Sequence, residues 1–321
     1  MKRFFYILLL MALSGMLFTG AKASTGDTEK TGHHVYPIDV TSEKWFDYTV
    51  LEKSEMLRID DETLERMSDE NLVYAIADYP YLVDYLAYGE DVVMFSKYCS
   101  AMEELLSRET CVESLNKYSK QIIEEYQVKP REDGRSVVVS YLLQDIAETV
   151  CTKTGSNPGP SRSDVVYTPN YTPVLVTHPS ESHTTAYHQV ADADAVSTYG
   201  VSLVRQGSCK YNHHSYAWYS TSSSNTCWMS DPSAYMTDGS YTLKYSGGTS
   251  SSLYSYGVSQ NDRLCYANNS HSAIFTGYTG GGAPFASYSA TSKWRALGVF
   301  VHGVTNVPAG YNYTTISIWH R

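Results

Sequence analysis

The nine residues Tyr211–Tyr219 read YNHHSYAWY, and this stretch carries most information about the fold and function of the chain. Two adjacent histidines, His213 and His214, precede an aromatic run at the expected start of a helix. The free N–H groups and the dipole at a helix N-terminus favour a reactive side chain there. The stretch therefore predicts a functional site, yet it contains no cysteine that could serve as a nucleophile.

The segments that follow this stretch form a recognisable succession. In chain order they are WMSDPS (228–233), DGSY (238–241), DRLCY (262–266), HSAIF (271–275) and SKW (292–294). Together with YNHHSYAWY they resemble a secreted branch of the NlpC-type cysteine amidases, which are related to the CHAP amidases and to papain-like peptidases. The resemblance covers roughly residues 165–321. It implies an antiparallel sheet packed against a helix that carries the nucleophile.

The chain departs from that family at the nucleophile. The family motif has the form Asn-Cys-His-Ser-Tyr-Ala-Trp, and His213 stands where it has the cysteine. His271 matches the base that begins the strand His-Ser-Ala-Ile. The third, orienting residue is less defined: Lys293 is the candidate we select, with Ser292 and His302 as other candidates. Because an imidazole cannot readily replace a thiolate in amide hydrolysis, the resemblance implies a pseudoenzyme of the cysteine peptidase and hydrolase fold.

The expected partner is a peptide, such as a stem peptide of cell-wall peptidoglycan, that is bound without being cleaved. The side chains that we expect to contact this ligand are His214, Trp228 and Trp294. No cofactor is expected. If activity remains, the resemblance implies a peptidoglycan amidase.

Two alternatives for His213 stay open alongside a purely structural role. Cys209 lies four residues earlier and is a candidate displaced nucleophile. A metal site is the other alternative, with His213, His214 and His271 as ligands and Asp238 or Asp262 completing it. Adjacent residues on a helix point about 100° apart, which argues against both His213 and His214 reaching one ion.

The N-terminus predicts export. Lys2 and Arg3 precede an apolar run from Phe4 to Phe18, and Ala21-Lys22-Ala23 provides small residues for cleavage. This pattern is typical of a signal peptide over residues 1–23. The apolar run is shorter than the roughly 20 residues that a membrane-spanning helix requires. We therefore expect a secreted or cell-surface protein with no stable membrane span after cleavage.

Charge and cysteine content limit the partners further. The chain of 321 residues has a formal net charge of −10, and the predicted cleavage removes three basic residues and no acidic one. An acidic chain lacks the basic surface that nucleic-acid binding requires. The six cysteines permit disulfides in an exported protein, and Cys99 with Cys111, or Cys209 with Cys227 or Cys265, are possible pairs. No known zinc-binding spacing occurs.

Composition changes near residue 155 and divides the chain. Residues 24–42 are expected to be a flexible segment, 43–151 a helical domain, 152–164 a linker rich in Gly, Pro, Ser and Thr, and 165–321 the NlpC-type domain. Helix signals followed by strand signals predict an α+β fold, with an all-helical N-terminal domain before a papain-like domain.

Overall fold

A computed structural model of the chain describes residues 33–36, 44–45, 48–152, 162–249, 253, 256–278 and 288–321. These residues belong to one compact unit, His33–Arg321. The predicted signal peptide, most of the predicted flexible segment and most of the predicted linker lie outside the described residues.

Only helices occur between residues 50 and 152. They are α1 (Val50–Met56), α2 (Asp61–Arg66), α3 (Asp69–Asp78), α4 (Asp84–Ala87), α5 (Val92–Ser96), α6 (Ser100–Ser107), α7 (Cys111–Val128) and α8 (Ser136–Thr152). Capping explains where two of them begin. Asp60 accepts a hydrogen bond from the Thr63 N–H before α2, and Ser68 accepts one from the Asn71 N–H before α3. The sequence predicts a cap at Asp60 or Asp61 and another at Ser68, and the structure has them at Asp60 and Ser68.

The second part of the chain is mixed. Its α-helices are α9 (Thr185–Tyr199) and α10 (Ser233–Thr237), and single 3₁₀ turns lie at Ala267–Asn269 and Ala309–Tyr311. Its strands are β1 (Arg162–Tyr167), β2 (Pro173–His178), β3 (Ser202–Arg205), β4 (Trp228–Met229), β5 (Thr242–Gly248), β6 (Arg263–Tyr266), β7 (Ser272–Tyr278), β8 (Tyr288–Lys293), β9 (Val299–Gly303) and β10 (Thr315–His320).

The strands form two antiparallel sheets. One has three strands in the order β1-β2-β4, and the other has seven in the order β3-β9-β8-β7-β6-β10-β5. Helices combined with antiparallel sheets confirm the mixed α+β class. The strands expected near residues 165–167, 174–176, 241–245, 263–266, 273–278, 297–302 and 315–319 are present, with ends that differ by a few residues.

Two local expectations differ from the structure. The helix expected over residues 187–205 ends at Tyr199, because Gly200 adopts a left-handed conformation (φ 62°) and closes it, and β3 follows. Strand β8 was not expected, because its apolar residues are only Tyr288 and Ala290 and its second half is polar. The opening stretch is helical as expected: the helix begins at His213 and His214 and continues as one wide turn over Ser215–Tyr219, in which the Ser220 N–H donates to the Ser215 carbonyl.

The helical and mixed parts share one hydrophobic core. Buried residues of α3, α4, α6 and α8 cluster with buried residues of α9 and of the seven-stranded sheet. Buried polar contacts accompany this packing: the Tyr199 hydroxyl donates to the Asp84 carboxylate at 2.7 and 2.8 Å, and the Arg135 guanidinium binds Asp194 at 2.7 and 3.1 Å. The small sheet closes a second cluster of apolar residues around Trp218.

None of the possible disulfides forms. All six cysteines are free thiols, and all except Cys151 are buried. Five of them therefore act as small apolar core residues rather than as covalent links. None of the helices in the described part of the chain is long and apolar enough to span a membrane.

Candidate functional site

The turn that carries His213 is anchored by Asn212. The Asn212 Oδ1 accepts hydrogen bonds from the backbone N–H groups of Ser215 (3.1 Å) and Met229 (3.2 Å), and its Nδ2 donates to the Met229 carbonyl at 2.7 Å. One buried side chain thus caps the turn and ties it to β4. His213 is thereby held on the buried face of the turn.

His213 and His271 meet at the start of β7. Their ring centroids lie 4.6 Å apart with planes inclined by 54°, although they come from distant parts of the chain. Both side chains are buried, and their Nδ1 atoms have no hydrogen-bond partner among the described residues. Burial, followed by neighbouring positive groups, lowers the pKa of each imidazole well below 6.5. Both rings are therefore neutral near pH 7.

A series of hydrogen bonds through Ser292 and His302 orients the ring of His271. The Ser292 Oγ lies 2.9 Å from the His271 Nε2 and 2.7 Å from the His302 Nε2, and it also accepts the Trp294 Nε1–H at 3.1 Å. The His302 Nδ1 lies 2.8 Å from the Gly303 carbonyl, which can only accept, so this nitrogen carries the proton. Burial lowers the pKa of His302 to about 4, which keeps its ring neutral and leaves its Nε2 as an acceptor.

This chain of bonds assigns the tautomer of His271. Since the His302 Nε2 accepts, the Ser292 hydroxyl donates to it and must accept from the His271 Nε2–H. The remaining nitrogen of His271, Nδ1, then carries a lone pair. A neutral imidazole with a free lone pair, fixed by a polar group on its other nitrogen, is the arrangement that a general base requires. Ser292 and His302, rather than Lys293, are the residues that orient His271.

Tyr311 covers His271. The two rings stack with centroids 3.9 Å apart and planes inclined by 6°. The Tyr311 hydroxyl donates to the Ala87 carbonyl of α4 at 2.9 Å, and the neighbouring Gly310 N–H donates to the Tyr88 hydroxyl at 3.2 Å. The helical part of the chain thereby holds the turn Ala309–Tyr311 over the site. His271 has no exposed surface in this arrangement.

Lys293 supports the backbone. Its Nζ donates to the carbonyls of Ser208 (2.9 Å), Arg295 and Leu297, and the side chain is fully buried. Burial lowers the pKa of its ammonium group to about 8. All three of its donor positions are used by loop carbonyls, which gives Lys293 a structural role in place of the third catalytic position expected for it.

Two of the three expected ligand contacts are inside the protein. His214 accepts from the Ser272 hydroxyl at 2.8 Å and donates to the Asn269 carbonyl at 3.0 Å, so both its nitrogens are used. Trp294 is fully buried between Tyr199 and Phe300. Neither side chain can reach a ligand at the surface in this arrangement, because each is enclosed by protein.

Trp228 does face a groove. It is half-buried on β4 and lines a depression of about 520 Å³ together with Leu175, Asp231 and Ala234. On this side β2 pairs with β4 only at Val176 and Thr177, so the β2 backbone before Val176 has no strand partner there among the described residues. Leu175 points away from the core and is 74 % exposed. The groove thus combines an open strand edge, apolar surface and a carboxylate.

Cys209 is not in contact with His271 and lies instead beside Ser182 and Glu181. No hydrogen bond or ring contact joins Cys209 to His271 within the described residues. The Cys209 Sγ accepts from the Ser182 hydroxyl at 3.1 Å, and its backbone N–H donates to Glu181. Burial raises the pKa of the Cys209 thiol to about 12. A protonated thiol without His271 beside it does not fit the role of a displaced nucleophile.

Within the described residues, no set of ligands for a metal ion surrounds His213. Both nitrogens of His214 are used by the protein, as described above. Asp262 pairs with His320 at 2.6 Å, and Asp238 accepts hydrogen bonds from Thr168 and Ser240. The two carboxylates are therefore engaged away from His213 and His271.

No protein-family profile, curated protein or solved structure matches this chain. The arrangement around His271 is therefore interpreted only from the contacts in this structure. Sequence reasoning named His213, His271, Ser292 and His302, but it did not identify the chain of bonds among the last three, which needs β8 and β9 to be adjacent. The sequence also gave no signal for the cover by Tyr311.

Proposed function

We propose that this chain is an exported, non-hydrolytic relative of the NlpC-type cysteine amidases, which binds a peptide without cleaving it. The expected ligand class is a peptide such as the stem of bacterial peptidoglycan. The proposal of export rests on residues 1–23. The proposal of a papain-like site rests on the order of motifs from YNHHSYAWY to HSAIF and SKW.

One observation supports the proposal above the others. The ring of His213, at the position of the family's nucleophile, contacts the ring of His271, at the position of its base. The tautomer of His271 suits a base, yet His213 is a neutral imidazole that cannot form the stable thioester on which this chemistry depends. The site retains the acceptor and lacks the thiol. This combination favours binding over hydrolysis.

The groove beside Trp228 is the surface on which we expect the peptide. An extended peptide can pair with an open strand edge through its backbone, while an aromatic side chain packs against it. Asp231 and the net negative charge of the chain favour a ligand with an amino group, such as the diamino acid of a stem peptide. His213 and His271 themselves are enclosed, so they are not expected to touch this ligand.

The first experiment introduces the missing thiol through His213→Cys. If the site is shared with the cysteine amidases, the thiol introduced next to the ring of His271 should ionise below its ordinary pKa, seen as thiolate absorbance in the ultraviolet during a pH titration. The matched control is His214→Cys, an adjacent buried position that bonds to Ser272 instead. Equal titration of the two variants would contradict the proposed nucleophile position.

The second experiment measures binding by titrating soluble stem peptides into the full chain by calorimetry. Trp228→Ala and Leu175→Ala are expected to weaken binding at least tenfold, since each removes apolar surface from the groove. Tyr171→Ala is the control, because Tyr171 is 84 % exposed and does not line the groove. Unchanged affinity in both groove variants, or no binding by the wild-type chain, would remove the binding proposal.

A further inference from the structure

A second cluster of reactive side chains surrounds Cys209, apart from His213 and His271. It contains two imidazoles and two carboxylates: His183, His188, Glu181 and Glu90. Potential ligand atoms of Glu181, His188 and Cys209 lie within 4.8 Å of one another, and so do those of Glu90, His183 and Cys209. The two sets share the Cys209 sulfur atom, which therefore lies near both imidazoles.

The cluster is held together by hydrogen bonds that a cation could replace. The His183 Nε2 lies 2.8 Å from Glu90, and the His188 Nε2 lies 2.9 Å from Glu181. Glu181 is fixed in turn, because it accepts the Cys209 N–H at 3.1 Å and the Ser208 hydroxyl at 2.8 Å. These bonds preorganise the carboxylate beside the sulfur. A preorganised shell lowers the cost of binding an ion.

The geometry of the two imidazoles suits a tetrahedral ion. The rings of His183 and His188 have centroids 5.7 Å apart and planes inclined by 80°. Two imidazoles bound to one tetrahedral zinc ion through nitrogen at about 2.0 Å have centroids roughly 5 Å apart. Ligand atoms around such an ion lie roughly 3.5 Å from one another, so each set of three needs shifts of about 1 Å, and a site of four also requires the imidazoles of His183 and His188 to move closer together.

The surrounding charge also favours a cation. Glu90, Glu181 and Asp145 are the acidic groups around the imidazole of His183. Burial is the largest influence on its pKa and lowers it, but the hydrogen bond and the charge of Glu90, with the other two carboxylates, raise the pKa overall. Lys293 is a basic group near His188 whose positive charge opposes a cation there, although its ammonium also donates to loop carbonyls. The Nδ1 of His188 is buried beside Gly207 and has no hydrogen-bond partner in the described part of the chain. His188 is thus bound to the protein on one nitrogen only.

We propose that Cys209, His183, His188 and Glu181 bind one zinc ion. Thiolate, imidazole and carboxylate are the ligands that zinc takes in proteins, whereas calcium and magnesium require oxygen ligands throughout. Binding displaces the proton of the Cys209 thiol and the hydrogen bond between His188 and Glu181. Glu90 remains next to His183 and offsets part of the ion's charge. Because Glu90 belongs to the helical part, the ion also strengthens the contact between the two parts of the chain.

The experiment uses the purified full chain, stripped with a chelator and titrated with Zn²⁺ or Co²⁺. We expect one equivalent to bind, with release of at least one proton per ion, and the cobalt form to show a thiolate-to-cobalt charge-transfer band. Cys209→Ser should abolish that band, and His183→Gln and His188→Gln should each weaken zinc at least tenfold. The matched control is Cys227→Ser, which removes another buried free thiol and should leave the band unchanged.

Folding is monitored separately by circular dichroism. If Cys209→Ser does not fold, the two histidine variants decide the question through the same band and the same stoichiometry. A cobalt complex without a thiolate band, a band that survives Cys209→Ser, or no stoichiometric binding would each overturn the proposal. Glu181→Gln should weaken zinc more than Glu90→Gln does, and the reverse order would contradict Glu181 as the fourth ligand.

Discussion

His271 and Tyr311 stack face to face, with ring centroids 3.9 Å apart and an angle of 6° between their planes. The tyrosine is held from the opposite side by the helical part of the chain, through the Ala87 carbonyl. The access of solvent to His271 therefore depends on Tyr311, which belongs to neither YNHHSYAWY nor HSAIF. This relationship leads to the first prediction.

Tyr311→Ala should expose His271 to reagents. We expect diethyl pyrocarbonate, which attacks neutral imidazole, to modify His271 at least tenfold faster in this variant than in the wild-type protein, with the site identified by mass spectrometry. Tyr313→Ala is the control, because Tyr313 is a buried tyrosine near Tyr311 that bonds to the Leu51 N–H instead. Similar rates in the two variants would show that Tyr311 is not the cover.

Ser292→Ala should remove the hydrogen bond that fixes the tautomer of His271. In the wild-type protein, nitrogen NMR is expected to show a proton on Nε2 of His271 and on Nδ1 of His302. Without the hydroxyl, three buried groups lose a partner, so we expect a mixture of tautomers at His271 and a loss of about 1–3 kcal/mol in unfolding free energy. Ser289→Ala, on the same strand, is the control. An unchanged single tautomer would contradict the chain of bonds.

Buried imidazoles should make the protein less stable in acid. Burial lowers the pKa of His214 and His302 to about 4, whereas both titrate near 6.5 in the unfolded chain. Between these values the unfolded chain binds more protons, so the unfolding free energy falls as pH falls from 6.5 to 4, by about 3 kcal/mol per imidazole. Imidazole titrations by NMR should have midpoints below pH 5, and midpoints near 6.5 would contradict the burial.

Asp84 acts in the opposite direction. Burial raises the pKa of this carboxyl from 3.8 to about 7. Between these pH values the folded protein binds a proton that the unfolded chain does not. The stability that Asp84 contributes is therefore lost as pH rises through that range. Asp84→Asn removes this term. We expect the unfolding free energy of the variant to fall more steeply with acid than that of the wild type, as measured by urea unfolding at several pH values. Parallel curves would contradict the raised pKa.

Lys293→Met should destabilise the fold although it removes a charge from the interior. The carbonyls of Ser208, Arg295 and Leu297 lose their common donor, and the expected cost is about 3 kcal/mol in unfolding free energy. Lys244→Met is the comparison, since Lys244 donates to the single carbonyl of Gly257 at 2.6 Å and is only half-buried. A smaller loss for Lys293 than for Lys244 would argue against its structural role.

Arg135 and Asp194 should couple the helical and mixed parts. Their two hydrogen bonds are largely shielded from solvent, with Asp194 the more buried partner. A double-mutant cycle of Arg135→Met and Asp194→Asn is expected to give a coupling energy of about 1–3 kcal/mol. The exposed pair Arg58 and Asp61 provides the comparison, with an expected coupling below about 0.5 kcal/mol. Equal couplings would show that the pair does not join the two parts.

Local sequence signals predicted the helices well because their causes are local. Asp60 and Ser68 cap the helices that follow them, and apolar residues at three-to-four spacing define the buried faces of α7 and α8. Strand β8 was missed because its alternation of apolar and polar residues covers only Tyr288–Thr291 and is followed by Ser292 and Lys293, which are polar yet buried. Its position in the middle of the large sheet is a tertiary property.

The sequence by itself determined the mixed class, the presence of His213 with no cysteine in YNHHSYAWY, and the expectation that His271 lies beside His213. Each of these depends on residue identity and order. The tertiary structure alone decided that Ser292 and His302 orient His271, that Tyr311 covers it, and that Cys209 lies among His183, His188 and two carboxylates. Those contacts join residues far apart in sequence, and they depend on strand order and on how α4 and α9 pack. No local pattern encodes that packing.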